Sequence, residues 1–166
     1  IAMRSLNRFW VLCFVLILVG CSSKNGIGGL NSDSTGMNFG EISQSSIDYF
    51  TESIGDTVLF AVDESTLKNE SIEILKAQAL WLQENSTAPI TIEGHADEQG
   101  TREYNLALGA RRATAVRNYL VSQGVQESQV SIVTYGKERP VEVCSQEKCW
   151  SQNRRSVTVV SGGMGN

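Results

Sequence analysis

Residues 90–122 read ITIEGHADEQGTREYNLALGARRATAVRNYLVS, and their order decides the fold. The opening residues 90–93 alternate β-branched and polar types, which is the pattern of a half-buried strand. Residues 94–100 carry two glycines and two acids and read as a loop. Residues 101–122 then place Leu108, Val116 and Leu120 on one stripe at helical spacing. Gly124 follows, as a glycine does where a helix ends in a left-handed turn. The stretch is therefore strand, loop, long helix. The loop holds Asp97, and Arg112 stands about three turns along the helix, so one pocket could be lined by both if the helix turns Arg112 toward the loop.

The same alternation continues on both sides. Residues 57–62 (TVLFAV) form a short β-prone run. Ser65 or Thr66 is placed to cap a helix in which Leu67, Ile72, Leu75, Ala79 and Leu82 recur at helical spacing through Gln83. Residues 85–89 break it. Residues 130–135 and 156–160 are two further strands, and residues 47–54 form a helical or irregular lead-in. The order β-α-β-α-β-β predicts an α/β fold, an α+β sandwich with two main helices packed on one small mixed sheet. There is no internal repeat.

The N-terminus reads as an export signal. Arg4 and Arg8 precede an uncharged apolar run of 11 residues, 9–19, which is shorter than the roughly 20 residues a membrane-spanning helix needs. Leu18-Val19-Gly20-Cys21 resembles a bacterial lipobox, with Ser22 next. The resemblance implies cleavage before Cys21, lipidation of its thiol and sorting to the outer membrane. Residues 1–20 are thus expected to be a signal peptide, 21–45 a lipidated cysteine with a flexible Gly/Ser/Asn-rich tether, 46–162 the folded domain and 163–166 a tail. A tether of that length spans roughly 25–30 Å as a coil.

Composition excludes several function classes. Among 166 residues the net charge is −4, and it falls to −6 once the leader with its two arginines is gone. A nucleic-acid partner needs the opposite sign of surface. The single histidine, His95, leaves no multi-histidine metal site, and four scattered cysteines do not make a four-thiolate zinc site. No serine or cysteine stands at nucleophile-motif spacing to His95, so it reads as a structural loop residue and the chain as a non-enzyme. On the residues alone, Asp97 is also compatible with a helix cap and Arg112 with a surface ion pair.

Gly94, Asp97, Asn105, Leu108, Arg112 and Ala113, with residues 130–136, Lys137-Glu138-Arg139-Pro140, Asn153-Arg154-Arg155 and the run from Asp56 to Asp63, resemble in order and spacing the OmpA-like peptidoglycan-binding domain family. Within it they resemble the peptidoglycan-associated lipoproteins (Pal), over about residues 55–160. The resemblance implies non-covalent binding of the diaminopimelate-containing peptide stem of peptidoglycan, with no cofactor beyond the covalent lipid on Cys21. Asp97 would take the ligand's ammonium and Arg112 its carboxylate. Asn105, Leu108, Asp63 and Thr101 match further ligand positions. Val62 stands where the family often has an aromatic residue, and Gln99 where it often has arginine. Arg154 and Arg155 read as structural or ion-paired. The implied partners are peptidoglycan, the outer membrane through the lipid, and TolB with other Tol components.

Cys144 and Cys149 lie close together in an exported domain, which favours a disulfide worth about 2 kcal/mol over free thiols. Two other readings stay open at this level: a surface-exposed adhesin built on the same domain, and a cell-wall hydrolase.

Overall fold

The computed structural model of the chain describes residues 43–162. The expected signal peptide, Cys21, most of the expected tether and the expected tail fall outside the described residues. The described residues open with a one-turn helix α1 (Ile47–Tyr49), capped by Ser46, whose hydroxyl accepts from the Tyr49 amide at 3.1 Å, and a π-helical turn Phe50–Gly55. Then follow β1 (Thr57–Leu59), α2 (Asn69–Glu84), β2 (Ile90–His95), α3 (Arg102–Ser122), a 3-10 turn Glu127–Gln129, β3 (Val130–Gly136), α4 (Glu147–Asn153) and β4 (Arg155–Val160).

The four strands form one mixed sheet in the order β1-β4-β2-β3. β4 runs antiparallel to both β1 and β2, while β2 and β3 are parallel, joined by the long crossover through α3. Register aligns Ile90 with Val130 and Val160, and Ile92 with Ile132 and Thr158. Val58, Ile90, Ile92 and Val160 meet Leu75, Ala79 and Leu82 of α2 and Ala113, Val116 and Leu120 of α3 in a single core. Phe50 and Trp81 close one end of that core with ring centroids 4.8 Å apart. The Trp81 indole donates to the Gln44 carbonyl at 2.7 Å, so packed chain is already present just before residue 46.

The expected sandwich is therefore found, with three adjustments. The first strand ends at Leu59 instead of residue 62, because the carbonyls of Ala61 and Glu64 turn inward to a side chain of α3 and leave the ladder. For the same reason residues 64–68 stay out of the helix: α2 starts at Asn69, and neither Ser65 nor Thr66 caps it. The segment before the last strand, expected as loop, contains the seven-residue helix α4.

How closely α3 lies on the sheet is set by two glycines. A Cβ on Gly94 would stand 2.6 Å from the Gly109 carbonyl carbon, and one on Gly109 would stand 2.8 Å from the Gly94 carbonyl oxygen. No residue with a side chain fits either position without shifting the helix. Arg112 lies three residues beyond this contact and enters the interior.

Candidate functional site

The loop between β2 and α3 is held from several sides. The Ala96 amide donates to the Gly136 carbonyl at 2.8 Å, and Lys137 Nζ donates to the Gly100 carbonyl at 2.7 Å and the Glu98 carbonyl at 3.3 Å. Gly100 adopts φ +91°, a conformation that favours glycine. Thr101 caps α3, its hydroxyl accepting from the Tyr104 amide at 3.2 Å. The loop is thus fixed at both ends before any ligand arrives.

Against it lies a pocket of about 250 Å³ lined by Val62, Asp63, Asp97, Gln99, Gly100, Tyr104, Asn105 and Leu108. Four of the six residues expected from the motif line it: Asp97, Asn105, Leu108 and Asp63. Asn105 donates from Nδ2 to the Gln99 carbonyl at 2.7 Å and is almost wholly buried. Asp63 sits in the left-handed region at φ 59°, and the Tyr104 hydroxyl donates to its Oδ1. Thr101 is not among the lining residues, and its hydroxyl is committed to the helix cap. Val62 and Gln99, the two departures from the family pattern, both face the pocket.

Asp97 is buried and doubly held. Its Oδ1 accepts from the Gln99 amide at 3.1 Å, and its Oδ2 accepts from Arg154 Nη1 at 3.1 Å. Arg154 also pairs with Glu147 and donates from Nε to the Phe60 carbonyl at 3.3 Å. Burial by itself would lower the Arg154 pKa, but its hydrogen bonds to Glu147 and Asp97 outweigh it and the net shift is upward. The reading of Arg154 as ion-paired thus acquires a location: it is the counter-ion of the pocket acid.

Arg112 is fully buried. Its Nε donates to the Glu64 carbonyl at 2.8 Å, Nη1 to the His95 carbonyl at 2.8 Å and Nη2 to the Ala61 carbonyl at 3.1 Å. The guanidinium carbon lies 5.2 Å from the centroid of the Phe60 ring, within cation–π range. Burial pushes its pKa down to about 10, with Asp97 and Asp63 opposing the fall. It stays cationic at neutral pH. Three of its five N–H groups go to backbone carbonyls, which leaves one on each terminal nitrogen. It is not among the lining residues.

His95 is buried at the end of β2, outside the pocket. Its Nε2 lies 3.3 Å from Glu93 Oε2, and its Nδ1 has no partner among the described residues. Burial, then the charges of Arg155 and Arg139, lower its pKa to about 4, so it is neutral at physiological pH. The sequence reading missed Tyr104. It stands one helical turn before Leu108, and that i, i+4 spacing was the available signal. Cys144 and Cys149 are joined, with their Cα atoms 5.7 Å apart. Among the described residues no three His, Cys, Asp or Glu side chains converge as a metal site, and no helix is long and apolar enough to cross a membrane.

Residues 59–154, which hold all of the pocket, match the OmpA family. The peptidoglycan-associated lipoprotein of Brucella melitensis is 47% identical over 147 residues, covering 89% of this chain and 87% of that one. The chain belongs to the OmpA family. Within that family it groups with the peptidoglycan-associated lipoproteins, since that of Pseudomonas aeruginosa is also 42% identical, over 92% of this chain and 96% of its own. Among solved OmpA-family structures, the peptidoglycan-associated lipoprotein of Burkholderia pseudomallei superposes with a TM-score of 0.63 at 40% identity, over 64% of this chain and 90% of that one. The C-terminal domain of Helicobacter pylori MotB superposes with a TM-score of 0.61 at 21% identity, a likeness of fold alone.

Proposed function

We propose that this chain is a binding protein, not an enzyme, and that its pocket holds the diaminopimelate side chain of a peptidoglycan stem peptide. The observation that carries the reading is the pairing of charges at the pocket: the Asp97 carboxylate on its wall, and the buried Arg112 guanidinium, near enough to Asp97 and Asp63 for both charges to hold up its pKa. Diaminopimelate ends in an ammonium and a carboxylate on one carbon. Asp97 takes the ammonium. Arg112, buried and not part of the wall, attracts the carboxylate through its charge. Asn105 and Asp63 supply polar contacts, Leu108 an apolar floor, and Thr101 keeps the loop in shape. The names of the relatives join peptidoglycan association to lipoprotein, which supports the same reading.

On this reading Cys21 carries the lipid, and the protein sits in the cell envelope, anchored in the outer membrane with its domain in the periplasm. The tether lets the domain reach the wall, so the protein links the two layers. The resemblance to Pal supports TolB and the Tol system as partners.

Sedimentation with purified sacculi tests the proposal. Asp97→Asn keeps an acceptor for the Gln99 amide but removes the charge, and we expect at least about tenfold weaker binding from loss of one charge-assisted contact. Undiminished sedimentation of folded Asp97→Asn protein rejects the site. Cys21→Ala should move the protein out of the membrane fraction, and its retention there through lipid would reject the anchor.

A further inference from the structure

Glu147 is the first residue of α4, its side chain is 62% exposed, and it does not line the pocket. It nonetheless grips the side chain that holds the pocket acid. Glu147 Oε2 accepts from Arg154 Nη1 at 3.3 Å, and its Oε1 accepts from Nη2. The same Nη1 donates to Asp97 Oδ2 at 3.1 Å. Arg154 therefore serves two carboxylates, one inside the pocket and one outside. The Nη1–Nη2 edge of a guanidinium forks to one carboxylate at a time, and the Nε of Arg154 is taken by the Phe60 carbonyl. Here that face goes to Glu147, and Asp97 receives a single bond.

The turn that carries Glu147 is fastened at both ends. The Cys144–Cys149 bridge ties the first turn of α4 to the preceding loop. At the other end Asn153 Oδ1 accepts from the amides of Val141 at 2.8 Å and Glu142 at 3.1 Å, while its Nδ2 donates to the Glu142 carbonyl at 2.7 Å. An exposed ion pair between free side chains is worth little. This one joins a fastened turn to an arginine that is itself buried, so its geometry is held by the fold.

We propose that Glu147 is a positioning residue for the pocket: by taking the two-pronged face of Arg154, it leaves Asp97 with a single bond from that arginine and available to a ligand ammonium. The inference rests on the reading of Asp97 as the ammonium site. Its sign follows from charge. Without the Glu147 carboxylate, Arg154 turns its fork to Asp97 and neutralises it, and one negative charge behind the pocket is lost. Both changes weaken a bound cation. Neither weakens a bound carboxylate. A residue that only supported the fold would weaken both alike.

The test uses the full chain in detergent and two stem peptides, one ending in diaminopimelate and one in 2-aminopimelate, which lacks the distal ammonium. Calorimetric titration of wild type should show a preference for the diaminopimelyl peptide. Glu147→Gln should weaken that peptide about tenfold, the scale of one charge-assisted contact, and leave the 2-aminopimelyl peptide unchanged. Glu147→Asp, which keeps the charge, should retain most of the preference. Thermal melts run on each variant confirm folding. If wild type discriminates and Glu147→Gln discriminates equally, the positioning role is overturned and the Asp97 reading stands. If wild type does not discriminate, the Asp97 reading fails and this inference with it. Equal weakening of both peptides, or equal loss in Gln and Asp variants, also overturns it.

Discussion

Arg112 Nη1 donates to the carbonyl oxygen of His95 at 2.8 Å, tying the middle of α3 to the end of β2. The bond joins the helix to the residue from which the pocket loop departs. With the bonds to Ala61 and Glu64, one guanidinium gathers the three chain segments that surround the pocket. Arg112 is thus a structural keystone as well as the cation of the proposed site.

Removing it should therefore cost stability as well as binding. Arg112→Ala leaves three carbonyls without their donor and opens a void over Phe60. We expect a loss of at least about 3 kcal/mol, since each buried polar group left unpaired costs about 1–3 kcal/mol. Chemical denaturation measures it. A variant as stable as wild type would show that water replaces the guanidinium without penalty. A binding defect in this variant says little about the site unless it is read beside Asp97→Asn.

Gly109→Ala should destabilise the protein even though alanine is favoured over glycine in a helix by up to about 1 kcal/mol. The added methyl collides with Thr134 Oγ1 and the Gly94 carbonyl. Overpacking of this kind costs typically about 1–3 kcal/mol, and it shifts α3 with Arg112 on it. The expected result is a lower denaturation midpoint together with weaker ligand binding. A raised midpoint would contradict the close packing of α3 on β2.

His95 should titrate far below an ordinary histidine. Its folded pKa of about 4 lies under the ordinary histidine value of 6.5 because burial, Arg155 and Arg139 all disfavour the imidazolium. The unfolded chain therefore binds a proton that the folded chain does not. Stability is fully present above about pH 6.5 and declines as pH falls toward 4. An NMR titration of the ring should give a midpoint near 4, and a midpoint near 6.5 would contradict its burial.

Reduction of Cys144–Cys149 should lower the melting temperature by several degrees, because so short a loop contributes about 2 kcal/mol in the chain-entropy account. Melts with and without dithiothreitol decide it. Coincident curves would mean that the bonds from Asn153 hold the turn unaided.

The stretch from β2 through α3 was legible because its information is local: a strand alternation, a glycine-bounded loop, a helical stripe and Gly124 at φ +100°. The early end of β1 was not, because the carbonyls of Ala61 and Glu64 answer to Arg112, some 50 residues away. The motif placed Asp97, Asn105, Leu108 and Asp63 at one pocket, but spacing did not say that Arg112 would be buried and absent from its wall. Nor did it pair Asp97 with Arg154, 57 positions distant in the chain. The helix α4, seven residues long, is too short to show periodicity, so nothing local marked Glu147.

The central claim is that this pocket recognises the two charges of diaminopimelate. The most direct measurement is residue-resolved NMR titration of the chain with a stem peptide ending in diaminopimelate and with its lysine analogue, which lacks the distal carboxylate. The account predicts saturable shifts at Asp97, Asn105, Leu108 and Tyr104 with the first peptide, and at least about tenfold weaker binding of the second through loss of the Arg112 interaction. Equal affinity for the two peptides, or shifts confined to residues away from this pocket, would contradict it.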